Sequence, residues 1–228
     1  MPLLSESDRQ TVRSHLAAIS HRVTILFFTQ TFDAPETVMI AKQVIDEVAS
    51  LNDQVSVEEV NLILDKERAA QFGVDRVPAI ALLRDDEDTR IRFLGAPAGY
   101  EFTSLVEAVL LAGTGDSGLT AESRTLIAER ATGAIDIKVF VTPTCPHCPR
   151  AVTMAHRMAV ASPHIRATCV EATENIDLAQ KYRVTGVPKT VVEGTAIELL
   201  GAVPEDAFVT AVLGGAPGGP EAAAPKTP

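Results

Sequence analysis

The feature that most constrains this 228-residue chain is that it runs through one pattern twice. Val74-Asp75-Arg76-Val77-Pro78, with Phe72 in front, matches Val184-Thr185-Gly186-Val187-Pro188, with Tyr182 in front. Gly95-Ala96 with Phe102 seven positions on matches Gly201-Ala202 with Phe208 seven positions on. The order of elements repeats around these landmarks. In the first half a helix over Ser5–Ile19 precedes a buried strand over Val23–Phe28. A helix near Pro35–Ser50, a strand over Val55–Val60 and a short helix over Asp65–Phe72 follow. Ala79–Leu83 and Arg90–Phe93 form a hairpin around the charged turn Arg84–Asp88, and Glu101–Leu111 closes as a helix. The second half gives a helix over Leu119–Ala131, strands over Ile135–Val141 and Ile165–Val170 around a helix over Pro149–Ala161, then a short helix over Ile176–Tyr182. A hairpin over Thr190–Val192 and Ala196–Leu199 and a helix over Pro204–Leu213 complete it. The expected class is α/β: two fused units, residues 1–115 and 116–213, each a mixed β-sheet flanked by helices. The run Gly113-Thr114-Gly115-Asp116-Ser117-Gly118 reads as a hinge-like break, and residues 214–228, rich in Gly, Pro and Ala, as a disordered tail.

The halves differ where chemistry is concentrated. Thr144-Cys145-Pro146-His147-Cys148-Pro149 stands where a strand gives way to a helix. One turn of helix brings two such sulfurs close enough to bond, and the positive end of the helix favours thiolate over thiol. Placing Val23–Thr29 on Asp136–Thr142 sets Phe32 against Cys145 and Pro35 against Cys148. The first unit then has the frame but neither sulfur, and is expected to be redox-silent.

Hydrophobic residues make up 46% of the chain but aromatics only 4%, with no Trp, so the core must be mostly aliphatic. The net charge of −10 disfavours nucleic acid and anionic membrane surfaces as partners. It is uneven: residues 1–115 hold 10 Lys+Arg against 18 Asp+Glu, and residues 116–228 hold 10 against 12. Arg150, Arg183 and Lys189 are candidates for cations near the motif. No run reaches the length of a membrane span, and the first residues lack the basic-then-apolar order of a secretion signal. With only three Cys, a cytoplasmic location and a catalytic dithiol are expected.

Three features together resemble the thioredoxin fold: Cys145-Pro146-His147-Cys148 after a strand, Val187-Pro188 downstream, and a closing hairpin and helix. The doubled arrangement is similar to the protein disulfide oxidoreductases (glutaredoxin-like proteins) built of two fused units. It is also similar to the amino-terminal region of the alkyl hydroperoxide reductase flavoprotein subunit. Phe93-Leu94-Gly95-Ala96-Pro97-Ala98-Gly99-Tyr100-Glu101-Phe102 is especially like the stretch that closes the first unit in both groups. The resemblance implies a cis Pro188 against the CxxC, with Val187 offering its backbone to an extended client. Pro78 is a candidate for the same geometry. It implies Cys145 as attacking thiolate, Cys148 as resolving thiol, and His147 as donor or positive charge beside the sulfur. It implies no bound cofactor beyond a redox-active Cys145–Cys148 disulfide, and no metal.

The implied partners are client protein disulfides, a peroxiredoxin and a thioredoxin-reductase-like flavoprotein. No flavin or nicotinamide segment is read in the chain, so such electrons must come from another protein. Reduction of clients is the expected direction; oxidation or isomerisation of disulfides, or partner docking by the silent unit, are the alternatives. The chain departs from the thioredoxin pattern in having Thr144 before the first Cys and Val139 where a buried acid is usual. Glu171 is a candidate substitute for that acid, against a reading as an exposed strand-end residue. Cys169 reads as a small buried hydrophobe, and His15, His21, His156 and His164 as helix-face or loop residues. A metal site built from Cys145, Cys148, Cys169 and a His is disfavoured because only one ligand pair has suitable spacing.

Overall fold

A computed structural model of the chain describes residues 3–32 and 34–214. The predicted tail over 214–228 therefore lies, but for Gly214, outside the described residues. The first half runs α1 (Glu6–Leu16), β1 (Val23–Thr29), α2 (Thr37–Ala49), β2 (Val55–Asn61), α3 (Lys66–Phe72), β3 (Ala79–Arg84), β4 (Glu87–Leu94) and α4 (Glu101–Thr114). The second runs α5 (Ala121–Arg130), β5 (Ile135–Val141), α6 (Cys148–Ala161), β6 (Ile165–Glu171), α7 (Ile176–Lys181), β7 (Lys189–Val192), β8 (Glu198–Leu200) and α8 (Glu205–Gly214). Local chemistry accounts for several boundaries. The Ser5 hydroxyl accepts the Asp8 N–H at the start of α1. Asp85 and Asp86 adopt left-handed φ values of 48° and 72° in the tight turn between β3 and β4, which starts β4 earlier than expected.

Each unit holds the expected mixed sheet flanked by helices, and the two sheets join edge to edge into one. Its eight strands lie in the order β2-β1-β3-β4-β6-β5-β7-β8. Each half contributes four strands, with β1 parallel to β2 and antiparallel to β3, and β5 parallel to β6 and antiparallel to β7. The join is a parallel pairing of β4 with β6, Ile91↔Ala167 through Leu94↔Val170. Each half would otherwise leave an open edge there, and pairing satisfies both rows of backbone groups.

Alternation along the strands sends successive side chains to opposite faces. Ile25, Phe27, Phe93, Val139 and Cys169 enter one core that runs without a break beneath α2, α4, α6 and α8. Leu26 and Phe28 turn the other way into a cluster under α3, and Phe140 and Val170 into a second cluster under α7. Helices thus cover both faces, and the larger core belongs to both halves.

One reading of the linking segment is corrected. Helix α4 continues through Gly113 to Thr114, and the Gly113 carbonyl accepts the N–H groups of Ser20 and His21. The segment is anchored rather than hinge-like up to its Gly115 cap. Residues 113–118 also spell G-x-G-x-x-G, but they join helix to helix, not strand to helix, so the dinucleotide-binding context is missing.

Candidate active site

The β5–α6 connection carries the site. Cys145 and Cys148 form a disulfide with Cα atoms 5.5 Å apart. The turn that holds them is closed by the Cys145 N–H donating to the Thr142 carbonyl and the Cys148 N–H donating to the Cys145 carbonyl. Cys148 is the first residue of α6, and Pro149 in the first turn costs no hydrogen bond there. The sulfurs differ in access: Cys145 is 8% exposed and Cys148 fully buried. His147 and Thr144 are exposed on the same turn, and His147 occupies the cap position without a side-chain capping bond.

The Val187–Pro188 peptide is cis, as is Val77–Pro78. Lys189, the next residue, pairs with Phe140, so Pro188 lies beside the end of β5 where the cysteine turn departs. The Pro188 carbonyl accepts the Gly201 N–H, whereas the Val187 backbone forms no hydrogen bond among the described residues. Val187 therefore keeps a free donor and acceptor next to the disulfide.

The candidate cations take up different posts. Arg150 is exposed in the first turn of α6. Lys189 is 4% exposed, and its ammonium donates to the carbonyls of Tyr182 and Arg183 and pairs with Glu198 at 2.9 Å. It is a structural ion rather than a neighbour of the thiols. Arg183 is exposed with a left-handed φ of 50°.

Glu101, at the start of α4, is a residue that sequence reasoning missed. It is 1% exposed, one of its oxygens has no hydrogen-bond partner, and the other faces the Cys169 thiol, which donates at 3.6 Å. Burial, reinforced by the charge of Glu171, raises its pKa to about 7. The residues just before it abut the segment that leads into the cysteine turn. The Tyr100 N–H donates to the Pro143 carbonyl, and a Cβ on Gly99 would lie 2.3 Å from that same oxygen, so only glycine allows this approach. The signal was present in the periodicity: Glu101 shares a helical face with Leu105, Ala108 and Ala112, all buried.

One expectation is reversed. Glu171 is not exposed but 2% exposed at the end of β6, where its carboxylate accepts from the N–H and hydroxyl of Thr173 and the N–H of Glu174. Those local donors occupy it as a turn cap. His156 lies on a helix face, as expected, and that face is the buried one of α6: it is 1% exposed and stands edge-on to Phe93, with ring centroids 5.1 Å apart. Burial drives its pKa down to about 3, so the ring stays neutral. Cys169 is a buried core residue of β6, and burial together with Glu101 pushes its thiol well above the ordinary range.

The first half holds the same frame with different occupants, in a different register from the one expected. Strand β1 corresponds to Ile135–Val141, because Val23 and Ile135 each open a parallel ladder. In the helices, buried Ala41, Val44, Ile45 and Val48 match buried Val152, Ala155, His156 and Ala159, a constant separation of 111 (156 − 45). Thr37, not Pro35, therefore occupies the place of Cys148. One of the two positions comes from the strand register and the other from length: residues 30–36 join β1 to α2, whereas residues 142–147, one fewer, join β5 to α6. The sequence alignment carried no gap there. Phe32, expected at the Cys145 place, is 80% exposed.

Comparison with known proteins agrees with this geometry. The family model described as a thioredoxin domain matches residues 135–214. The alkyl hydroperoxide reductase protein AhpF of Pseudomonas putida is 29% identical over 210 residues, 79% of this chain but 40% of that protein, so the chain spans well under half of this relative. The crystal structure of the N-terminal N/C domain of the Enterococcus faecalis alkyl hydroperoxide reductase AhpF superposes with a TM-score of 0.84 at 27% identity. That match covers 92% of this chain and 99% of the other. A protein disulfide oxidoreductase from Aeropyrum pernix gives a TM-score of 0.84 at 28% identity, with 94% of each chain covered. The chain thus carries a thioredoxin-like domain within a tandem architecture that closely matches both the amino-terminal domain of AhpF and a protein disulfide oxidoreductase.

Proposed function

We propose that this chain is a cytoplasmic thiol–disulfide oxidoreductase that reduces protein disulfides or passes electrons to a peroxiredoxin. The observation that carries the reading is the Cys145–Cys148 disulfide, whose Cys145 is the less buried partner at 8% exposure, together with the unbonded Val187 backbone before the cis Pro188. The relatives support it: one is a protein disulfide oxidoreductase and others belong to alkyl hydroperoxide reductases.

The reduced form begins the cycle. An extended client docks by pairing its backbone with the N–H and carbonyl of Val187, as an added strand would. The Cys145 thiolate, stabilised by the start of α6 and by His147, attacks one sulfur of the client disulfide. A mixed disulfide forms and one client thiolate leaves. Cys148 then gives its proton to Glu101 and attacks the Cys145 sulfur, which releases the second client thiolate. Two electrons have moved to the client, the Cys145–Cys148 disulfide has formed, and protons restore both client thiols. A separate donor, a dithiol or a flavoprotein, must return two electrons and two protons. Glu101 suits its step because its carboxyl titrates near neutrality and keeps one oxygen unpartnered.

Insulin reduction by the reduced protein is the test. Cys145→Ser should fall to background, and Cys148→Ser should accumulate a mixed disulfide with the client that dithiothreitol releases. A Cys145→Ser variant as active as its parent would sink the proposal. Titrating the dithiol against glutathione then separates the reductase reading from the oxidase alternative.

A further inference from the structure

The silent unit exposes large apolar side chains at places where the catalytic unit carries others. Nine large hydrophobic side chains are exposed among the described residues, and five of them follow the carboxyl ends of the paired strands β1 and β2: Phe32, Met39, Ile40, Ile63 and Leu64. Phe32 lies in the β1–α2 connection, Met39 and Ile40 in the first turn of α2, and Ile63 and Leu64 in the β2–α3 connection. The Asn61 side-chain amide donates to the Thr31 hydroxyl and ties the two connections together. At the matching places the second unit has Arg150, Ala151, Thr173 and Glu174, so this surface is not a requirement of the frame.

The β1–α2 connection and the residues before β3 also line a cavity of about 240 Å³, with Pro35, Thr37, Val77, Pro78, Gly95, Glu174 and Asn175 at its walls. It occupies the place that the disulfide and Pro188 occupy in the second unit. Three features give it a chemical preference. Val77 forms no backbone hydrogen bond among the described residues, which leaves a donor and an acceptor for a strand. The Thr37 hydroxyl and one carboxylate oxygen of Glu174 face each other without reaching hydrogen-bond geometry, and both are shielded from water. The other Glu174 oxygen accepts the Ala96 N–H at 2.9 Å. A buried carboxylate oxygen without a donor is an incomplete site. The surrounding half of the chain carries 18 acidic against 10 basic residues.

We propose that this surface docks an extended segment of a partner protein that pairs with Val77, lays large apolar side chains over Phe32, Ile63 and Leu64, and directs one basic residue to Glu174. Apolar area supplies the affinity, and the unpaired oxygen selects the charge. Docking here needs no sulfur exchange and stands apart from the redox reading.

The test uses the oxidised full chain and a synthetic probe, the capped pentapeptide Ile-Lys-Ile-Phe-Val, with Ile-Glu-Ile-Phe-Val as its counterpart. Titration followed by amide NMR should give saturable shifts at Val77, Gly95 and Asn175, with the lysine peptide at least about tenfold tighter. Glu174→Gln should erase the lysine preference. Ile63→Ser with Leu64→Ser, both at exposed positions, should weaken binding at least about tenfold with an unchanged melting temperature. Absence of saturable shifts, shifts confined to the neighbourhood of Val187, or equal affinity for the two peptides would overturn the proposal. So would broadening of the same amides with protein concentration alone, which would assign the surface to a second copy of the chain.

Discussion

The two units share strand order, a cis X–Pro before the third strand, and a helix that leaves the end of the first strand, yet only one holds sulfur. Along their matching helices Thr37 stands for Cys148, Ile45 for His156 and Val48 for Ala159. The frame is satisfied by any small or apolar group that fills the space, so it does not require the dithiol. What distinguishes the second unit is its neighbour. The first unit's α4 delivers Glu101 to the Cys169 thiol of the second unit, and Tyr100 beside it bonds the Pro143 carbonyl just before the cysteine turn. By the match of Phe102 to Phe208, the second unit has Ala207 in that place, at the start of the closing helix α8. The asymmetry is thus positional: one unit follows the other and receives a carboxyl group from it.

The largest effect is expected from breaking the contact that makes this delivery possible. In Gly99→Ala the new methyl would meet the Pro143 carbonyl at 2.3 Å, at a φ of +60° that an L-residue resists. The strain and the clash together should cost about 3 kcal/mol of unfolding free energy, read by urea denaturation. An unchanged midpoint would mean that α4 does not bear on the cysteine turn.

Removing the delivered group while leaving the contact intact is the next test. Glu101→Gln should slow client reduction on the order of a hundredfold near neutrality, and the rise in parent rate through pH about 7 should vanish. Stability should respond as well. Glu101 is raised in the fold from 4.5 to about 7, so the folded parent binds more protons in that window and loses stability as pH rises through it. The glutamine variant, unable to ionise, should not show that loss. A pH–rate profile identical to the parent's would assign Glu101 to packing alone.

The mildest test makes the second unit more like the first. His156→Ile installs the residue that α2 carries at the matching place. The His156 pKa is lowered from 6.5 to about 3, so the unfolded chain takes up a proton as pH falls through that window and the parent is destabilised. At pH about 5 the penalty should be about 2 kcal/mol, and it should be absent from the variant while the two differ little at pH about 8. Parallel acid-unfolding curves for parent and variant would show that the ring is hydrated in the fold.

The elements, the CxxC at a strand-to-helix junction and the paired Val-Pro turns were all legible in the amino-acid order. Each rests on local chemistry: β-rich apolar runs, a serine cap, a proline in a first helical turn, charged residues between two strands. The same order left other matters open, because they are contacts between residues far apart in the chain. Whether β4 would remain an edge depended on β6 presenting a parallel partner about 76 positions away (167 − 91). The register of the silent unit turned on one residue of strand pairing and one extra loop residue, which periodicity cannot see across a connection. His156 and Glu101 are polar by composition, and only the packing of α6 against β4 and of α4 against α6 decided that both are buried. Local patterns thus set the elements and the sulfur pair. Assembly of the two sheets into one set the environment of those sulfurs, because desolvation is a property of everything that surrounds a group rather than of its place in the chain.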